Sequence, residues 1–96
     1  MSPSVSYLED LYQDLADPEY ALGLLNLCLK DEDYQSFLAI LNDVANVRGG
    51  IGALSRKANL NREHVFRMLS KNGNPTLDSL RHLLKAMGLK LVLENA

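Results

Sequence analysis

The sequence predicts an all-α fold that closes with one short β-strand, and three observations point there. Apolar residues recur at three- and four-residue spacings from Leu8 to Met87, the period of a helix with a single buried stripe. Residues that start and stop helices, namely Asp17-Pro18, Gly49-Gly50, Asn59, Thr76 and Gly88, fall at the joints of that pattern. Only after Gly88 does the period change, in the run LKLVLEN.

The elements follow in order. Leu8, Leu11, Tyr12 and Leu15 share one face of a first amphipathic helix. Asp17 is placed to cap the next, with Pro18 at the first helical position, where its missing N–H costs nothing. That helix, over 18–30, is apolar through Ala21, Leu22, Leu24, Leu25, Leu27, Cys28 and Leu29, so packing on more than one side is expected. Asp31, Glu32 and Asp33 end it. A third helix over 33–48 buries Phe37, Ile40, Leu41 and Val44 and stops at Gly49 and Gly50. Two short helices come next, over 51–58 and 62–70, joined by only Asn59, Leu60 and Asn61. Helices joined so tightly cross at a steep angle. Asn72, Gly73, Asn74 and Pro75 form a turn, and Thr76 caps a helix through Leu77, Leu80, Leu83, Leu84 and Met87 that Gly88 closes. The strand from Leu89 has no partner in the chain. Its backbone groups need one, which points to the same strand of a second copy across a twofold axis, through residues 89–94, or to the sheet edge of another protein.

Length and composition bound the function. A chain of 96 residues is read as one domain, 1–96. It has no apolar run of about 18 residues and no signal-peptide order at its start, so a cytoplasmic protein that neither enters nor crosses a membrane is expected. Cys28 is the only cysteine and lies among leucines, which marks a buried structural thiol. The two histidines, His64 and His82, sit on different helices, and no group has metal-ligand spacing. The sequence therefore predicts no enzyme, no catalytic residues, no metal and no cofactor.

Charge is more informative by distribution than by total. The net charge is -2, yet residues 1–46 hold nine acids against Lys30 alone, while residues 47–96 hold nine bases against Glu63, Asp78 and Glu94. A basic half can hold phosphates while an acidic half faces away or meets a basic partner; solvated helix faces are the plainer reading.

The tight corner lies in the basic half. Ile51, Leu54 and Ala58 form the inner face of its first helix, with Ser55 small enough to let the second approach. Asn59 tolerates the left-handed backbone of the corner, Leu60 plugs it, and Asn61 caps the second helix, whose inner stripe is Val65, Met68 and Leu69. Outward, at 100° per residue, stand Glu63, Arg67 and Ser70, flanked by His64 and Lys71 on one side and Phe66 on the other, with Arg62 at the start. A helix presented this way fits the major groove of double-stranded DNA. Arg62 and Arg67 suit guanine, Asn61 adenine or a phosphate, and Glu63 cytosine or the orienting of an arginine. Phe66 either meets a thymine methyl or fills a corner of the core. Arg48, Ser55, Arg56, Lys71, Asn72 and the N–H groups around Gly73 are the expected phosphate contacts.

The run ALSRKANLNREHVFRMLS, followed by NGNPTLDSLRHLLKAMGLKL, resembles the helix-turn-helix of the Xre/Cro repressor family. More narrowly, and extending upstream to Asp17, it is similar to the addiction-module antidote branch, the HigA-like antitoxins of HigBA pairs. Asn59 and Asn61 depart from that pattern, standing where glycine and serine are usual. The resemblance implies a lambda-repressor-like five-helix core over 33–88, an N-terminal helical extension over 1–32 and the C-terminal strand over 89–96. It also implies a homodimer that binds a palindromic operator as a transcriptional repressor, nucleoid-associated when on DNA. A cognate RelE-like toxin follows from it too, with the helices from Leu8 to Lys30 as the toxin-facing part. A solitary Xre-type regulator and a protein-interaction module without DNA binding stay open as alternatives.

Overall fold

The computed structural model describes the backbone from Ser4 to Ala96 and side chains from Asp10 onward. Among the described residues six helices follow one another: α1 (Ser4–Ala16), α2 (Pro18–Lys30), α3 (Tyr34–Val47), α4 (Ile51–Ala58), α5 (Arg62–Met68) and α6 (Leu77–Ala86). Leu8 of the first expected stripe lies outside the described side chains; Leu11 and Leu15 of that stripe pack into the core.

Local chemistry sets the boundaries. Asp17, Asp33 and Thr76 each accept a backbone N–H from the first turn of their helix, from Glu19 at 3.0 Å, Ser36 at 3.1 Å and Ser79 at 3.1 Å. Such caps contribute about 1 kcal/mol each. At the other end of α6, Gly88 takes φ +78°. Its N–H donates to the Lys85 carbonyl at 3.0 Å, and the Leu89 N–H reaches back to Leu84 at 2.8 Å. That is a Schellman closure, which satisfies carbonyls the helix leaves open.

The helices pack as two groups bridged by α3 and α4. α1, α2 and α3 pack on one another, α4 packs on both α5 and α6, and α3 touches α4. Leu15, Leu41, Val44, Val65 and Leu83 are wholly buried along the continuous apolar interior. Among the described residues no helix is long and apolar enough to cross a membrane.

Four expectations are corrected. The strand over 89–94 does not form: among the described residues no backbone hydrogen bond engages Lys90 to Ala96, because no other segment offers an edge to pair with. Leu89 packs on the core, but Leu93 is 97 % exposed. Second, α2 packs on one side only. Ala21, Leu25 and Cys28 are buried, while Tyr20, Leu22 and Leu27 stand in solvent, Leu27 at 53 %. Third, Leu77, the first leucine of the α6 pattern, is exposed and lies on the side of the helix that carries Arg81 and Lys85. Fourth, the helix from Arg62 ends at Met68 and not at Ser70. The Ser70 N–H and hydroxyl both donate to the Arg67 carbonyl, at 3.2 Å and 2.7 Å, and this tighter turn replaces the next helical bond.

Candidate nucleic-acid interface

The corner between α4 and α5 is built as the residues suggest. Asn59 takes φ 58° and ψ 42°, the left-handed conformation that asparagine tolerates best after glycine. Its N–H donates to Arg56 at 3.1 Å, and Leu60 donates to Ser55 at 2.8 Å while packing its side chain against the core. Asn61 Oδ1 then accepts from the Glu63 N–H at 2.8 Å and the His64 N–H at 3.3 Å. Val65, Met68 and Leu69 fill the inner side of α5 and its end, leaving Arg62, Glu63, Phe66 and Arg67 exposed.

Arg62 is the most constrained of these. Its guanidinium carbon lies 5.4 Å from the centroid of the Phe66 ring, one turn along the same face. Such a stack at an exposed site contributes about 0.5–1 kcal/mol. Phe66 is 46 % exposed, so it does not fill a corner of the core. Beneath Arg62 runs α4. A methyl group built on Gly52 would meet Arg56 Nη1 at 3.8 Å and Arg62 Nε at 3.9 Å, so two guanidinium groups from different helices converge over this one bare backbone position. Among the described residues the contacts between basic and acidic side chains are Arg81 with Asp78 at 3.2 Å and His82 Nδ1 with Asp78 at 3.6 Å, both within α6. Arg56, Arg62 and Arg67 have no acidic partner among those residues. Where Arg56 and Arg62 converge, like charges without one create a local positive potential that an anion relieves.

The other expected contacts divide. Glu63, Lys71 and Asn72 are exposed, as is Arg56. Ser55 is only 1 % exposed and its hydroxyl donates to the Ile51 carbonyl at 2.6 Å, so it is not free to meet a phosphate. The Gly73 N–H donates to Ser70 at 2.8 Å and is likewise occupied. Arg48 Nη1 donates to the Met87 carbonyl at 2.8 Å, tying the end of α3 to the end of α6. His64 is half-buried with Nε2 3.1 Å from Ser79 Oγ, which turns it from the outer face toward α6. Asn61 keeps its amide N–H groups, but its oxygen is engaged in the cap. Bidentate reading of adenine needs both atoms, so a phosphate contact suits it better.

Gly52 and Ser79 escape a reading of the sequence. A glycine inside a helix costs about 1 kcal/mol against alanine, which signals a packing or functional reason. Which side chain needs the room depends on how α5 crosses α4. Cys28 is buried as expected. Its thiol is pushed up by desolvation first and by Asp33 and Asp31 second, so it stays protonated and unreactive.

Fold and face together define a small all-helical protein with an acidic N-terminal half and a basic C-terminal half, the latter carrying exposed arginines on and beside one short presented helix. Residues 7–95 match the family described as "probable addiction module antidote protein", and the chain belongs to that family. It is also similar to an uncharacterized protein of Haemophilus influenzae, 28% identical over 87 residues that span 91% of this chain and 89% of the relative. No solved structure matches it. An antidote of an addiction module implies a toxin as its partner.

Proposed function

We propose that the chain is a DNA-binding antitoxin of the HigA-like Xre branch, a repressor of its own operon that silences a RelE-like toxin. It is not an enzyme in this reading. α5 enters the major groove of a palindromic operator, with Arg62, Glu63, Phe66 and Arg67 toward the bases. Arg56, Lys71, Asn72 and the Asn61 amide lie toward phosphates, and α4 crosses the backbone. The observation that carries this is the convergence of Arg56 and Arg62 over Gly52, with Arg67 exposed on the same short helix as Arg62 and all three free of acidic partners among the described residues. Packing alone does not need that arrangement, since the inner stripe of α5 already satisfies the fold.

Binding to a palindrome calls for two copies. The C-terminal tail supports a homodimer, because Leu91, Val92 and Leu93 are exposed and the backbone beyond Leu89 is unbonded among the described residues. The helices α1 and α2, flanked by Asp17 and by Asp31, Glu32 and Asp33 and with Tyr20, Leu22 and Leu27 in solvent, suit a basic ribonuclease surface as the toxin-facing part. The same apolar residues favour a second reading, a protein-interaction module whose helical corner is only scaffold.

Fluorescence anisotropy with a duplex from upstream of the gene separates the two. Arg67→Ala and Arg62→Ala are each expected to lose about 1–3 kcal/mol of specific binding, with affinity falling steeply as salt rises. Unchanged affinity in both variants rejects α5 as the reading helix. No retention of DNA at low salt, together with a stable complex with the neighbouring gene product, selects the interaction module.

A further inference from the structure

We infer that Arg62 and Phe66 act as one reading unit for two adjacent base pairs, Arg62 on the guanine of one and Phe66 on the thymine methyl of the next. This deepens the reading of α5 as the recognition helix and rests on it. The two side chains are four residues apart on the same outward edge, with the guanidinium 5.4 Å from the ring centroid. Arg62 Nε also lies 3.9 Å from where a methyl group on Gly52 would stand, so the side chain runs over the bare backbone there. No carboxylate engages it among the described residues, so its N–H edge stays free for a bidentate acceptor. In the major groove, guanine presents that acceptor pair in O6 and N7. Successive base pairs stack about 3.4 Å apart, and a ring centroid 5.4 Å from the guanidinium is less than two such steps away, so the ring reaches no further than the neighbouring pair. Thymine is the base with an apolar group in that groove, its C5 methyl, and a half-exposed phenylalanine ring is the matching surface. Contact with a phosphate alone would satisfy Arg62 but leave the ring with nothing apolar to meet.

The experiment uses the full-length chain and upstream duplexes in which each thymine in turn is replaced by deoxyuridine and each guanine by 7-deazaguanine. One deoxyuridine in a single half-site is expected to weaken binding about fourfold, the loss of one buried methyl group. Phe66→Ala should bind thymine and uracil duplexes equally, and Phe66→Leu should keep part of the difference. The sensitive guanine should lie in the adjacent base pair and lose its effect in Arg62→Ala. Tight binding with no response to any deoxyuridine, or a response that survives in Phe66→Ala, overturns the unit while leaving α5 as the reading helix. Failure to bind any duplex overturns both readings. Circular dichroism of each variant checks that the helices remain.

Discussion

Two corners of this molecule use the same local chemistry and lead to different ends. At the end of α2, Glu32 takes φ 56°, its N–H donates to Leu29 at 3.1 Å, and the Asp33 N–H reaches Cys28 at 2.9 Å. At the end of α4, Asn59 takes φ 58°, its N–H donates to Arg56 at 3.1 Å, and the Leu60 N–H reaches Ser55 at 2.8 Å. Each corner then caps the following helix with an oxygen, from Asp33 or from Asn61. The difference lies in the helix that each corner starts. α3 packs on α1, α2 and α4, so the first corner serves the core. α5 packs on α4 and turns a row of exposed side chains outward, so the second corner presents a surface. A tight helical corner is therefore no evidence of function by itself. The outer face of its second helix is.

The largest expected effect tests how firmly α5 is held. Gly73 lies against the end of α5, where a methyl group would overlap the Met68 carbonyl and stand 2.9 Å from the Arg67 carbonyl oxygen. Those are backbone atoms and have little room to yield. Gly73→Ala is expected to destabilise the protein by about 3 kcal/mol, which lowers Tm by roughly 15 °C in a chain of this size. Hydrogen exchange should show the amides of α5 losing protection before those of α3. An unchanged melting curve would mean that the turn after α5 shifts freely, and α5 would then be less fixed than its hydrogen bonds suggest.

The two corners also show what a sequence makes legible. Asn59 and Asn61 are readable because asparagine favours both the left-handed backbone and the cap. Asp17 with Pro18, Thr76 and Gly88 are readable for similar local reasons. Glu32 is not, since glutamate has no preference for positive φ and the run Asp31-Glu32-Asp33 reads only as a helix end. Ser55 is readable as a small packing residue, yet its hydroxyl reads equally well as a phosphate donor. Only the observed bond to Ile51 decides between the two. The tail and the exposed side of α2 show the opposite limit. Their apolar residues ask for cover that one chain does not supply, and periodicity cannot say whether cover comes from within or from a partner. At the interface, the charge row on α5 is legible from helical spacing, whereas the Gly52 crossing and the turn of His64 toward Ser79 depend on the angles at which successive helices cross.

A smaller effect sharpens the comparison of the corners. A non-glycine residue in the left-handed region carries a conformational cost of about 1–2 kcal/mol, which asparagine partly avoids. Glycine removes that cost but adds freedom to the unfolded chain worth about 0.5–1 kcal/mol. Glu32→Gly is therefore expected to stabilise the protein by about 0.5–1 kcal/mol, and Asn59→Gly to change it by less than about 0.5 kcal/mol, in urea unfolding. Glu32→Gln keeps the side-chain length and removes the charge, so it isolates repulsion from Asp31 and Asp33. Equal responses at the two corners would show that left-handed backbone is no more strained at glutamate than at asparagine here.

The smallest effect concerns α3, whose capping acid Asp33 and interior acid Asp43 are perturbed in opposite directions. The Ser36 side chain first, and the Ser36 N–H second, hold the Asp33 carboxyl below its usual 3.8. A lowered folded value gives stability that is present above the unfolded value and is lost as pH falls through the folded one. Burial pushes Asp43 up from the same 3.8, so its sign is reversed. The native state favours Asp43 neutral, and that contribution is full below the unfolded value and lost as pH rises through the raised folded value. At neutral pH the helix thus carries one carboxylate that helps it and one that does not. Asp43→Asn is expected to be more stable than the wild type at neutral pH and Asp33→Ala less stable, and both differences should close as pH falls below about 3.8. Urea unfolding at neutral and acidic pH measures both. If Asp43→Asn proves less stable at neutral pH, the Asp43 carboxylate is held by a cation, and the bases of the other half would then serve the fold of α3 as well as the presented face of α5.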